Sequence, residues 1–311
     1  MALAFLGLQA CVKIGVTGDP IAFSPVASKA TKAIISGTTF PEGETFAVSA
    51  YYNGSSAYFQ NLVATKGSTP YWETSSAEYW PLSGSLNFVA YSPARAVSPN
   101  SSNLITITSS GVTAEDYTIQ TADQMTTDFC YASATVADCT NHPESVPLTF
   151  SHALSQVVIR AKAADHYTTE SNTVTLSLTS LSLSGIYSQG DFAAGTWSNQ
   201  AQTYTYPLSS TSTALTYDGE QNPQTVEIGS YLFIPQTLGA NAFLSVGYSI
   251  TQSTLGTLTN APAPVRLGDT VTAWLPGKKY VYTLSIGLND NITFTASVRD
   301  WTDENGGIIV E

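Results

Sequence analysis

The chain predicts an all-β protein, and three observations carry that prediction. Apolar and polar residues alternate in short runs, the period of a half-buried strand. Gly and Pro punctuate these runs at regular intervals, as in a sandwich or barrel. No stretch longer than a turn or two keeps the period of a helix. At 311 residues the chain exceeds an ordinary single sandwich and suits two domains of about 150 residues each.

Charged residues make up 11% of the chain, against roughly 25% in an average soluble protein. Ser, Thr, Asn, Gly and 17 Tyr take their place, as on an exported β-protein. The 11 Lys and Arg are scattered singly against 23 Asp and Glu, for a net charge of -12. Neutralising phosphates needs clustered cations, so nucleic acid is not expected as a partner. An anionic lipid surface would repel the body of the protein. No apolar run reaches the roughly 18 residues that a membrane-spanning helix needs.

Met1 to Ala10 resemble the apolar core of a signal peptide. The following Leu8-Gln9-Ala10-Cys11 is similar to a lipobox, in which a small residue precedes the cysteine so that the peptidase reaches the bond once the thiol carries diacylglycerol. Residues 1–11 therefore read as a signal remnant ending at a lipidated Cys11, with a start expected farther upstream because no Lys or Arg precedes the apolar run. Several acyl chains on one residue, at about 0.8 kcal/mol per buried CH₂, would make a stable anchor.

The first domain is expected over 12–145. A linker, VKIGVTGDP, leads to a strand over Ile21 to Ser24 that ends at Pro25. Further strands are expected near Ala33 to Ser36, at Phe46 and Val48, from Tyr58 to Ala64, at Trp72 and over Leu86 to Tyr91. Leu104 to Ile107 and Tyr117 to Ile119 complete this half, Asp128 to Ala132 leads out of it, and Ser133 to Ser145 reads as a linker.

The second domain is expected over 146–311, opening on VPLTFSHALSQVVIRAK. Val174, Leu176 and Leu178 share a face, whereas Leu181 and Leu183 carry the apolar phase on odd numbers. A one-residue slip would turn every later side chain inside out, so the phase change predicts a β-bulge at Thr179-Ser180. Leu244 to Ile250, Tyr280 to Ile286 and Ile292 to Val298 repeat the strand period.

No catalytic constellation is present. There is no G-x-S-x-G elbow, P-loop or dinucleotide fingerprint, and neither a cofactor nor a metal is expected. His142, His152 and His166 lack zinc-site spacing, and His152, following a strand, reads as structural. The acidic turn after Asp300 fails the EF-hand spacing. Cys130 and Cys139 are a candidate disulfide, worth about 2.5 kcal/mol in the chain-entropy model; the competing reading is two buried free thiols. Tyr71-Trp72 and Tyr79-Trp80 suit either sugar stacking or cross-strand core packing.

The order TKAIISGTTFPEGETFAVSAYY, EYWPLSGSLNFVAYSP, DFCYA, VPLTFSHALSQVVI, YLFIPQTL, WLPGKKYVYTLSI and VRDW resembles the fimbrillin (type V pilin) family of surface lipoproteins over nearly the whole chain. The resemblance implies two tandem transthyretin-like Greek-key β-sandwiches, a lipidated precursor exported to the outer membrane, and a non-enzymatic structural role in a cell-surface fimbria as stalk, anchor, tip or accessory subunit. It also implies that a trypsin-like protease removes the first strand, so that a strand from another subunit fills the vacancy. Thr31-Lys32-Ala33 matches the place where many members carry Thr-Arg-Ala, which makes the Lys32-Ala33 bond the candidate processing site, with Lys29 the fallback. The candidate donor strand is C-terminal: Ile292, Phe294, Ala296 and Val298 on one face, with Ile308, Ile309 and Val310 beyond.

The implied partners are other fimbrial subunits, a membrane held through acylated Cys11, and a host or bacterial surface ligand. A different class of function, a monomeric surface glycan-binding lipoprotein, would use Trp72, Tyr79 and Trp80 as stacking platforms.

Overall fold

The computed structural model describes residues 15–27, 40, 43–94, 103–288, 292–301 and 308–310. Cys11, Lys32 and Ala33 lie outside the described residues, as does the strand expected near Ala33. The fold is all-β, and its described helical turns are 3₁₀ turns of three residues at Gln124–Thr126, Cys139–Asn141 and Leu267–Asp269.

In chain order the strands of the first part are β1 (Val16–Pro20), β2 (Phe23–Ala27), β3 (Phe46–Tyr52), β4 (Ser56–Lys66), β5 (Trp72–Thr74), β6 (Tyr79–Pro81), β7 (Leu86–Ser92), β8 (Leu104–Thr108), β9 (Gly111–Thr118), β10 (Cys130–Val136) and β11 (Val146–His152). Then follow β12 (Ser155–Ala163), β13 (Val174–Ala193), β14 (Thr196–Ser209), β15 (Thr213–Ala214), β16 (Val226–Phe233), β17 (Gln236–Thr237) and β18 (Phe243–Gln252). The last are β19 (Gly256–Arg266), β20 (Ala273–Trp274), β21 (Lys278–Ile286), β22 (Ile292–Asp300) and β23 (Ile308–Val310).

Seven strands close a barrel in the order β10-β11-β2-β5-β4-β3-β7. Phe23, Phe46, Phe88, Trp72, Trp80 and Phe150 fill it. The rest is a two-layer sandwich. One sheet runs β16-β12-β21-β22-β23, and the other runs β19-β18-β13-β9-β8 with β14 and β15 on the free edge of β13.

Three expectations about the division of the chain are corrected. Val146–His152 does not open a second unit: it pairs in parallel with β2 and antiparallel to β10, and its Val146, Leu148 and Phe150 belong to the barrel core. The chain crosses into the sandwich at the Ala153-Leu154 corner, where both residues are buried. The hairpin β8–β9, expected to complete the first half, instead pairs through β9 with β13. And Ser133 to Val136, expected as linker, extend β10 along β7.

The hairpin lies against the outer wall of the barrel. Ala47, Tyr51, Val89 and Tyr91 pack in one core with Ile107, Val112 and Ala114, and Tyr51 Oη donates to the Ile107 carbonyl at 3.0 Å. That contact explains why β3 reads FAVSAYY and β7 LNFVAYS with little alternation: strands covered on both faces are apolar on both. Elsewhere the expected phases hold. Leu244, Val246, Tyr248 and Ile250 are buried, as are Tyr280, Tyr282, Leu284 and Ile286. The register of β13 against β18 shifts between Leu178 and Ser180, so Thr179 is the extra residue of the expected bulge.

Candidate functional site

The strand that precedes Lys32 is β2, and it is wall rather than tether. Ile21, Phe23 and Pro25 point inward and alternate with partly exposed Ala22 and Ser24 and exposed Val26. The strand runs through Pro25 instead of ending there. Its two neighbours hold it unequally. Toward β11 it has a parallel register of Phe23 with Val146, Ser24 with Pro147, Pro25 with Leu148, Val26 with Thr149 and Ala27 with Phe150. Toward β5 the register is Phe23 with Trp72 alone, because β5 is three residues long. Pro25 and Pro147 also bring no N–H to the ladder.

Side chains supply what the backbone lacks. Phe23 is 0% exposed and meets Phe46 and Phe88 edge to face at 5.7 and 5.6 Å. Around it Phe40, Trp72 and Phe150 pack on Phe46 within 6 Å. Removing β2 would leave an apolar trough floored by these rings and flanked by the open ladders of β11 and β5. Ahead of β2, the exposed β1 pairs with β6 only at Val16 with Pro81 and Pro20 with Tyr79. Asp19 lies 3.5 Å from His142 Nε2, and His142 stacks flat on Trp80 at 4.6 Å.

At the other end of the chain, β22 pairs with β21 over nine residues, from Lys278 with Asp300 to Ile286 with Ile292. β23 covers its other edge through Ala296 with Val310, Ser297 with Ile309 and Val298 with Ile308. On the apolar face only Ala296 is buried, whereas Ile292, Phe294 and Val298 are half-covered against the sandwich core. Asp300 forms an ion pair with Lys278, so the acidic turn begins as a strand-end clasp.

Two other expectations resolve differently. Trp72 and Trp80 are core residues of the barrel; of the proposed sugar platforms, Tyr79 is 40% exposed. The candidate disulfide is absent, and Cys130 and Cys139 are free and buried. Cys130 opens a strand of seven residues and Cys139 follows its far end. At about 3.3 Å per residue, that strand spans roughly three times the Cα separation a disulfide allows. Spacing of nine in sequence suits a loop, but here it is spent on an extended strand.

Sequence reading missed the neighbours of Cys130. His152 sits directly across from it in the β10–β11 register, with its Nδ1 3.4 Å from Cys130 Sγ and 2.8 Å from Asp128 Oδ2. All three side chains are buried. The signal that could have found them is Asp128-x-Cys130, a two-residue spacing that puts both groups on one side of an extended chain.

The profile of a family described as fimbrillin-like matches residues 31–301. Among solved structures the chain is similar to a fimbrial protein from Bacteroides vulgatus, at 18% identity over 90% of this chain and 99% of that one, with a TM-score of 0.63. It is also similar to a candidate cell adhesion protein from Bacteroides uniformis, at 17% identity over 91% and 99% of the two chains, with a TM-score of 0.53. A second candidate cell adhesion protein, from Bacteroides ovatus, is 19% identical over 92% and 99%, with a TM-score of 0.51. A comparison with curated proteins gives no match. At these identities the structural likeness establishes the fold.

Proposed function

The chain belongs to the fimbrillin-like family, and from that premise we propose that it is a non-enzymatic structural subunit of a bacterial cell-surface fimbria, joined to its neighbours by strand exchange. The observation that carries this reading is the seam at β2. A strand held by one backbone pair on one side, yet seated among the aromatic rings of the barrel core, can be replaced by another of the same pattern without rebuilding the barrel.

The physics of replacement follows from that seam. Cleavage after Lys32, or after Lys29, would detach β1 and β2 from the covalent chain while β11 and β5 keep their places. An incoming strand of about ten residues could form some eight net hydrogen bonds at about 1 kcal/mol each. It could also bury four or five apolar side chains at about 1.5 to 3 kcal/mol each. After ordering costs are subtracted, the joint is long-lived, as in other strand-addition complexes. The donor of this reading is β22 with β23; the apolar face of β22 is half-covered at home and would be fully covered in a trough. Acylated Cys11 would tether the precursor to the outer membrane until cleavage.

The test is processing. The full chain treated with a trypsin-like protease should give a ladder on unheated gel electrophoresis that collapses on boiling. The Lys29→Ala, Lys32→Ala double variant should remain one band. A single band from processed wild type would overturn the reading. Mass spectrometry of the native N-terminus separates the fates: acylated Cys11 with Lys32 intact marks an anchored subunit, and a chain beginning at Ala33 marks a polymerising one.

A further inference from the structure

Where the barrel meets the sandwich, three buried side chains with different ligand chemistry converge on one point. Asp128 is 2% exposed, Cys130 1% and His152 5%, and one ligand atom from each lies within 4.8 Å of the other two. His152 is braced from behind by Trp301, whose ring stacks on it at 3.9 Å and 13°. Trp301 is itself fixed by its backbone N–H donating to the Gly277 carbonyl at 3.1 Å.

The trio spends its hydrogen-bonding capacity largely within itself: Asp128 Oδ2 stands 2.8 Å from His152 Nδ1, and the Cys130 thiol also addresses the carboxylate. Cys130 Sγ addresses that same nitrogen. One ring nitrogen cannot serve both neighbours. The arrangement is not a nucleophile relay either, because a relay needs the nucleophile on one ring nitrogen and the carboxylate on the other.

We propose that Asp128, Cys130 and His152 form a buried site for one divalent cation of the zinc class. Thiolate, imidazole and carboxylate together are the donor set that zinc takes. Zinc bonds of about 2.3 Å to sulfur and 2.0 to 2.1 Å to nitrogen, at a tetrahedral angle, put the two ligands about 3.5 Å apart. The distance from Cys130 Sγ to His152 Nδ1 is 3.4 Å. On binding, Cys130 releases its thiol proton, and the imidazole ligates through Nδ1 as the Nε2–H tautomer. Nε2 has no hydrogen-bond partner among the described residues, and the Nδ1 contact with Asp128 Oδ2 at 2.8 Å is exchanged for bonds from both groups to the cation. A metal here would tie β10 to β11 at the rim of the barrel, against the Trp301 ring.

The experiment uses the full chain refolded with Co²⁺ or Zn²⁺ present, so that entry into a buried site does not limit loading, and then freed of excess metal. One cobalt per chain is expected, with thiolate-to-cobalt absorption and the intense visible bands of a four-coordinate ion. Cys130→Ser should abolish the sulfur band and weaken zinc binding by more than about 100-fold. Cys11→Ser and Cys139→Ser should keep both. Zinc should raise the Tm of wild type and leave that of Cys130→Ser unmoved; circular dichroism verifies that this near-isosteric variant folds. Refolded wild type that retains no cobalt, or a sulfur band that survives Cys130→Ser, overturns the site and leaves an Asp128–His152 ion pair.

Discussion

β2 and β22 are held alike by backbone and differently by side chains. Each is paired along its whole length on one edge, β2 with β11 and β22 with β21, and only thinly on the other. β2 wedges a fully buried Phe23 between Phe46 and Phe88, whereas β22 keeps Phe294, Ile292 and Val298 half-covered. In a strand exchange these properties are complementary: the vacated place is deep and apolar, and the strand offered to it has apolar surface still to bury.

The contrast is most exposed to test at its deepest side chain. Phe23→Ala should lose about 3 to 5 kcal/mol of stability in denaturant unfolding, because the rings around it cannot collapse into the gap. Tyr282→Phe tests the sandwich core beneath β22. It removes the acceptor of the Trp274 Nε1 hydrogen bond, 2.9 Å in a buried setting, and should cost about 1 to 3 kcal/mol. Phe294→Ala should cost less, about 1 to 2 kcal/mol, from half a side chain of burial and a flat stack on Tyr282 at 5.1 Å. If Phe294→Ala equalled Phe23→Ala, the contrast between the two strands would be lost.

The smallest effect concerns pH. Burial first, and then the Asp128 carboxylate, raise the pKa of Glu44 at the mouth of β3. A carboxyl whose folded pKa is raised favours the native state at low pH, and that contribution is lost as pH rises through the folded value. Glu44→Gln should therefore have the higher Tm at pH 7, with the gap closing as the pH falls toward about 4.

Strand identity was readable where one face is wet. The odd-even change between Leu178 and Leu181 located the bulge in β13, because a single extra residue is the only inexpensive way to keep both leucines inside. Partnership was not readable. Ile105, Ile107, Val112 and Ala114 alternate as any hairpin would, and nothing in that pattern says that the covering layer is β3 and β7 on one side and the sandwich on the other. The same limit hid the buried trio: Asp128 and Cys130 announce a shared side of the chain, whereas His152 joins them only through the register of β10 with β11. Trp72 and Trp80 show the converse, since an aromatic pair pattern is the same for a wall that faces sugar and a wall that faces its own core.

The excursion of β8 and β9 has a consequence for biosynthesis. A growing chain leaves its barrel unfinished at residue 94, sends the next hairpin to a surface that does not yet exist, and returns to seal the barrel only with β10 and β11. The hairpin's partner, Gln189 to Ala193 of β13, emerges later still. Neither unit can mature before the other is under way, so the barrel and the sandwich fold as a single piece, and a fragment ending at residue 145 would lack both β11 and the platform for its own hairpin.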